Sequence, residues 1–211
     1  MMTTPTIALL DYGVGNLYSV ANALSVAGGD VVITSDPKVI QSADKILLPG
    51  VGAMRDAMAN MVAHGIDVAV KDVLATKPVM AICVGMQAMF DYSEEGDVPC
   101  LGIIKGAVRL FDETWVENGH AIKIPHVGWN RVDADTDHVL WDGCNHEHFY
   151  FTHSYYCDPA PNDDLIIATT EYGEKFCSSI IRDNLFITQF HPEKSHNAGL
   201  KLLSNFIKWQ P

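Results

Sequence analysis

The chain has 211 residues, 48% hydrophobic and 19% charged, with 14 Lys and Arg against 26 Asp and Glu for a formal net charge of −12. That length supports a real core in one large α/β domain or two small ones, and the composition excludes a disordered or fibrous chain. The acidic balance, with no lysine- or arginine-rich stripe, argues against nucleic acid and anionic membranes as partners.

Residues 7–10 form a short apolar run ended by Asp11-Tyr12-Gly13, which reads as a buried strand and a turn. Val20, Ala21, Leu24 and Ala27 recur at helical spacing, and Gly28-Gly29 stops that helix. Residues 31–33 and 45–48 are two further strands, the second closed by Pro49-Gly50. A helix is expected over 53–63, a strand over 79–82 and a helix over 84–90. Strands alternating with helices predict a mostly parallel sheet flanked by helices.

The second half changes character. Short β-type runs at 107–111, 126–132, 148–153, 165–169, 178–181 and 185–188 are separated by turn residues such as Glu117-Asn118-Gly119 and Asp142-Gly143. They predict antiparallel strands added to the sheet in the C-terminal half. Leu200, Leu203, Phe206 and Ile207 predict a final amphipathic helix over 197–209. With no repeat, linker or low-complexity tract, residues 1–211 read as a single α/β domain.

No apolar run approaches the roughly 20 residues that a membrane span needs. Residues 7–10 have no basic segment before them and meet Asp11 at once, so no secretory leader is expected. Cys83, Cys100, Cys144, Cys157 and Cys177 are odd in number and lack Cys-x-x-Cys spacing. They read as reduced thiols of a cytoplasmic protein, one of them available as a nucleophile and the rest packing residues.

Gly13-Val14-Gly15-Asn16-Leu17-Tyr18 sits where a dinucleotide fingerprint would, between a strand and a helix. Tyr18 replaces the third glycine and would block close packing, so a tight turn is the better reading. No Walker-type phosphate loop is present. Ala81-Ile82-Cys83-Val84-Gly85 is more informative. An apolar strand runs into Cys83 and a helix leaves it, with small residues two before and two after. That is what a nucleophile elbow requires, because the strained bend leaves no room for side chains beside it. A helix N-terminus behind the thiol favours the thiolate; a buried structural cysteine is the alternative.

A thiol nucleophile needs a base and the base an orienter. Phe190-His191-Pro192-Glu193 offers both. Pro192 keeps His191 out of the helical region, so an extended segment would put His191 and Glu193 on one face. Pro49-Gly50-Val51-Gly52-Ala53 follows another strand, and its backbone N–H groups, with that of Val84, are candidate donors to an oxyanion. Cys144, His146 and His148 alternate and would share a face if extended, but three ligands so close on one strand seldom complete a tetrahedron. Exposed polar residues are the preferred reading there, and Glu94-Glu95 and Asp163-Asp164 read as solvated surface.

Taken in order, Pro49-Gly50-Val51-Gly52, Ile82-Cys83-Val84-Gly85-Met86-Gln87 and His191-Pro192-Glu193 resemble the triad-type (class I) glutamine amidotransferases over nearly the whole chain. Within that family, Asp11-Tyr12-Gly13-Val14-Gly15-Asn16, Pro125-His126-Val127-Gly128-Trp129-Asn130, Tyr150-Phe151-Thr152-His153-Ser154-Tyr155 and Gln189-Phe190-His191-Pro192-Glu193-Lys194-Ser195 look like the glutaminase subunits of imidazole glycerol phosphate synthases. Val84 stands where leucine is usual and Val127 where methionine is usual; neither change removes a functional group.

The resemblance implies catalytic Cys83, His191 and Glu193, and an oxyanion loop of Gly50, Val51 and Gly52 working with Val84. It implies glutamine binding by Gln87 and Glu95 with the backbone around His153, Ser154 and Tyr155. It also implies a cyclase partner, a (β/α)₈ barrel forming a heterodimer with this chain and meeting Asn16, Trp129, Tyr150 and Lys194. Ammonia would pass to that partner, and no metal or other cofactor is implied. Three other readings remain open at this point: a paralogue feeding another synthase such as one for sugar amination, a non-catalytic binding module, and a metal-dependent hydrolase.

Overall fold

The structure is a computed structural model that describes residues 4–13, 15–162 and 164–211. The N-terminal half alternates: β1 (Thr6–Leu10), α1 (Leu17–Val26), β2 (Asp30–Thr34), α2 (Pro37–Ser42), β3 (Lys45–Leu48), α3 (Met54–Ala63), α4 (Ile66–Leu74), β4 (Val79–Ile82) and α5 (Val84–Gln87). Then come β5 (Tyr92–Ser93), β6 (Val98–Pro99), β7 (Gly106–Leu110), β8 (Val116–Glu117), β9 (His120–Ala121), β10 (His126–Arg131) and β11 (Asp133–Ala134). The chain continues through β12 (His148–His153), β13 (Tyr155–Pro159), β14 (Ile166–Tyr172), β15 (Glu174–Arg182), β16 (Leu185–Thr188) and α6 (His196–Lys208).

One sheet dominates, ordered β2-β1-β3-β4-β16-β15-β13-β7-β5-β6 with β14 and β11 attached beside β15. Strands β2, β1, β3, β4 and β16 all run parallel. Beyond β16 the sheet turns antiparallel through β15. Every residue of β3, β4 and β16 is buried and, apart from Lys45 and Thr188 at strand ends, apolar, which is why these strands do not read as alternating ones. The helices cover them by burying one stripe each, Ile66, Ala69, Val70 and Val73 in α4 for example.

The mostly parallel body and its antiparallel extension match expectation, with several differences of detail. Helices α2 and α4 add to the expected elements; Asp36 caps α2 by accepting from Lys38 N–H at 2.8 Å and Pro37 opens it. The helix after Cys83 covers only four residues, because the chain then turns back and Ile103 and Ile104 N–H bond the carbonyl of Met89. Strands β10 and β12 do not join the main sheet; they form a ribbon of their own, with His126 opposite His153 and Trp129 opposite Tyr150. Strand β16 belongs to the parallel body while also closing a hairpin with β15.

The geometry that matters for chemistry is the shared edge of β3, β4 and β16. Being parallel neighbours, they release their C-terminal ends side by side. The first releases the Pro49–Gly52 loop, the second Cys83, and the third Gln189 and His191. That edge is where ligands sit in open α/β sheets.

Candidate active site

Cys83 occupies the bend itself, with φ 54° and ψ −111°. A side-chain-bearing residue held there costs on the order of 1–3 kcal/mol. Its N–H donates to the carbonyl of Thr188 at 2.7 Å, tying it to the end of β16. The small neighbours have specific causes. A Cβ on Gly85 would stand 2.5 Å from the Leu48 carbonyl oxygen, and one on Gly50 would stand 2.4 Å from Gly85 N. The elbow and the loop after β3 therefore touch backbone to backbone. With only four residues behind it, α5 supplies a smaller dipole to the thiol than the longer helix expected from sequence.

His191 is extended, with φ −103° and ψ 95°, as its place before proline requires. The chain does not stay extended, however: Pro192–Lys194 is a 3-10 turn. The turn, not strand alternation, brings Glu193 to the ring, and Nδ1–H donates to Glu193 Oε1 at 2.8 Å. Both side chains are buried, and His191 Nε2 and Glu193 Oε2 have no hydrogen-bond partner among the described residues. Burial alone would lower the pKa of His191, but the neighbouring Cys83 sulfur and the Glu193 carboxylate outweigh it and raise it to about 9. Strand β12 braces the segment. His191 N–H donates to the Tyr150 carbonyl at 2.9 Å, while Ser195 Oγ donates to the His191 carbonyl and accepts from Tyr150 N–H.

Cys83 and His191 open onto a cleft of about 420 Å³. Val51, Gly52, Val84, Gln87, Glu95, Pro125, Thr152, His153, Ser154, Tyr155 and Lys194 line the rest of it. Gly50 does not; it is buried against the elbow, so of the loop expected to hold an oxyanion only Val51 and Gly52 reach the cleft. Gly52 has φ +94° with open space around it, a conformation that favours glycine. Tyr12, buried, donates its hydroxyl to the Pro49 carbonyl and pins the base of the loop. Burial first, and the charge of Cys83 next, push the Tyr12 pKa up, so it remains a neutral donor. Glu95 Oε2 accepts from Met54 N–H at 3.0 Å, satisfying an N-terminal amide of α3 that lacks its own capping side chain.

A directed chain of hydrogen bonds runs behind the cleft. Asn130 Nδ2 donates to the Glu171 carbonyl at 2.8 Å and lies 3.4 Å from His126 Nε2. His126 Nδ1 is 3.1 Å from His153 Nε2, and His153 Nδ1 is 2.7 Å from the Tyr155 carbonyl. A carbonyl only accepts, so His153 carries its proton on Nδ1, its Nε2 accepts from His126, and Asn130 donates to His126. The same Tyr155 carbonyl accepts from Gln87 Nε2 at 3.0 Å; Gln87 Nε2 also donates to Gln189 Oε1, and Gln189 Nε2 donates to Cys83 Sγ at 3.6 Å. Burial lowers His126 to about 4 and His153 to about 3, so both stay uncharged near neutrality.

Asn16, exposed, caps α1 by accepting from Ser19 N–H at 3.2 Å. Trp129 is 44% exposed, stacks on His196 at 4.8 Å and meets Tyr150 edge-on at 6.0 Å; Lys194 Nζ lies 5.8 Å from the centre of the Tyr150 ring. Cys144, His146 and His148 share no strand face. Cys144 is buried and donates to the Leu140 carbonyl, His146 has φ 63° and contacts Asp133, and only His148 lies on β12. Val14 and Asp163 fall outside the described residues. Sequence pattern does not single out Gln189, His126, Asn130 or Tyr12 as site residues. Gln189 stands two positions before His191, but nothing in spacing alone tells which way a buried amide faces.

The fold and this thiol–imidazole–carboxylate cleft define a class. Residues 8–209 match the family described as Glutamine amidotransferase class-I, and the chain belongs to it. Among individual proteins, it is 55% identical over 206 residues to "Imidazole glycerol phosphate synthase subunit HisH" of Acinetobacter baylyi, covering 96% of this chain and 98% of that one. It is 48% identical over 207 residues to the protein so named in Pseudomonas savastanoi pv. phaseolicola, with 97% of each covered. Solved structures share the fold at low identity. "Structure of PurLQS from Thermotoga maritima" superposes with TM-score 0.74 at 16% identity, covering 98% of this chain and 99% of that chain. A structure described as "Crystal structure of glutamine amidotransferase" gives 0.72 at 13%, covering 96% and 97%.

Proposed function

We infer that this chain is the glutamine-hydrolysing subunit of an imidazole glycerol phosphate synthase, acting in histidine biosynthesis. The observation that carries the reading is the thiol on its strained bend, beside a buried imidazole whose far nitrogen is held by a carboxylate. The full-length identity to subunits of that name supports the particular acceptor.

In this reading the Cys83 thiolate attacks the side-chain amide carbon of glutamine. The C=O electron pair moves onto oxygen, where backbone N–H groups of Val84 and the Val51–Gly52 segment stabilise it. Collapse breaks the C–N bond, and protonated His191 gives its proton to the departing nitrogen, releasing ammonia and leaving a thioester. His191, now neutral, takes a proton from water as that water attacks the thioester carbon; the C–S bond breaks and glutamate leaves. Glu193 keeps the ring oriented through Nδ1–H throughout.

Gln87 spends its N–H groups on Tyr155 and Gln189, which leaves its oxygen to accept from the substrate. Glu95 has its second oxygen for the α-ammonium group, and the 153–155 backbone flanks the amino-acid end. Ammonia released into water would be protonated and lost as a nucleophile. The reading therefore includes a (β/α)₈ cyclase partner in a heterodimer, docked over Asn16, Trp129, Tyr150 and Lys194, in the cytoplasm. Residues 1–211 then act as one glutamine amidotransferase domain. No described helix is long and apolar enough to cross a membrane.

The test is labelling with an electrophilic diazoketone analogue of glutamine, read by mass spectrometry of the Cys83 peptide. One equivalent on Cys83, blocked by excess glutamine, is expected. An unlabelled Cys83 in folded protein contradicts the reading.

A further inference from the structure

We propose that Gln189 is a further catalytic residue: its side-chain N–H donates to the Cys83 sulfur and stabilises it as thiolate, and the hydrogen-bond chain through Gln87 holds the amide in the one orientation that does so. The proposal rests on the glutamine-hydrolysing role inferred above and names a second group that sustains the nucleophile.

Gln189 is fully buried at the end of β16, where both ends of an amide need partners. Its Oε1 accepts from Gln87 Nε2 at 3.0 Å and its Nε2 lies 3.6 Å from Cys83 Sγ. The partners of the two amides fix which end of each is oxygen and which is nitrogen. Gln87 also donates to the Tyr155 carbonyl, which has no proton to give, so the Gln87 NH₂ group must face both partners. Gln189 must then present its oxygen to Gln87 and its nitrogen to the sulfur. Turning the amide over would set two NH₂ groups against each other and a carbonyl oxygen against the sulfur. A neutral thiol tolerates a carbonyl, because S–H donates to it; a thiolate does not. The observed orientation therefore discriminates in favour of the ionised sulfur.

Gln189 complements His191. The imidazolium supplies charge but gives up its proton during the reaction, and its Nε2 makes no hydrogen bond in this geometry. The amide does not titrate, so its donor is in place both when the sulfur attacks and when it leaves as thiolate in the second step. Among the described residues it is the one side chain that hydrogen-bonds the sulfur.

The experiment follows alkylation of Cys83 by iodoacetamide against pH in the full chain, for wild type, Gln189→Met and Gln189→Leu. The proposal expects the midpoint to rise by about one unit and, at any pH below the wild-type midpoint, the rate to fall roughly tenfold in the variants, the size of one charge-assisted hydrogen bond. A folded variant with the wild-type midpoint overturns it, since a purely structural role would lower activity without moving that midpoint. A second measurement needs only wild type and Cys83→Ala. One Gln189 Nε2 proton resonance should shift with the midpoint of Cys83 ionisation, and should not titrate in Cys83→Ala; a wild-type resonance indifferent to pH overturns the proposal. Failure of the diazoketone to label wild-type Cys83 would instead remove the hydrolytic reading, so the two failures are told apart.

Discussion

The proton that leaves with ammonia has to be stored on His191, and two neighbours keep it there. Cys83 and Glu193 both raise the His191 pKa against the effect of burial, to about 9. Below that value the imidazolium is available to the leaving nitrogen, and above it the proton is gone. Glutamine hydrolysis should therefore show an alkaline limb near pH 9. Glu193→Gln removes one of the raising influences, so the limb should move to lower pH and kcat should fall roughly 10- to 100-fold. A pH–rate profile for the two proteins checks this; an unmoved limb would mean that Glu193 does not act through the ring. Much of this site is legible from residues alone. Cys83 betrays itself by Ala81 and Gly85, and His191 and Glu193 by lying so close in sequence. Gln189 does not, because its role depends on which group faces it from α5 and the elbow, and sequence order carries no such information.

Elements, not residues, keep the elbow strained. The loop after β3 lies directly on the first turn of α5, and Gly50 and Gly85 are the positions where the two backbones meet. Gly85→Ala puts a methyl 2.5 Å from the Leu48 carbonyl oxygen, and Gly50→Ala puts one 2.4 Å from Gly85 N. Neither obstacle is a flexible side chain. Each variant should lose stability by about 3 kcal/mol or more, or fail to fold. Gly52→Ala meets nothing within 4 Å but keeps φ +94°, so about 1 kcal/mol is expected from backbone strain alone. Urea unfolding of the three variants checks the ranking, and a Gly85→Ala protein as stable as Gly52→Ala would contradict the contact.

The β10–β12 ribbon makes a separate prediction. His126 and His153 titrate near 4 and 3 when folded, against about 6.5 when unfolded. Between those values the unfolded chain binds more protons, so stability is full above about pH 6.5 and falls as pH drops toward 4. The slope should reach roughly 1.4 kcal/mol per pH unit for each histidine. Unfolding free energies across that range test it, and a flat profile would contradict the buried neutral pair. Sequence pattern places both strands of this ribbon but not their separation from the sheet. Alternation in His126–Arg131 says which residues share a face, not which strand they pair with. Helix α4 carries a helical stripe in Ile66, Ala69, Val70 and Val73, but only His64 and Gly65 separate it from α3, so no run of turn residues marks it as an element of its own.

At the scale of the whole molecule, the parallel order β3-β4-β16 lets residues more than a hundred positions apart converge on one cleft. That convergence is only implied by the alternating pattern, since the pattern does not state the strand order. Trp129 and Tyr150 stand on the ribbon with Lys194 over the Tyr150 ring, and Lys194 lines the same cleft. If the cyclase docks there, Trp129→Ala should weaken the complex at least about tenfold, in keeping with the weight of tryptophan at interfaces. Calorimetric titration of one subunit with the other measures this, and an unchanged affinity would move the interface elsewhere. The central claim is that Cys83 supplies ammonia from glutamine to a separate synthase site. Its most direct test is turnover of the reconstituted two-subunit enzyme carrying Cys83→Ala, assayed with glutamine and, separately, with ammonium salt. The account predicts loss of glutamine-dependent product formation with ammonia-dependent formation preserved; glutamine-dependent turnover surviving the substitution would contradict it.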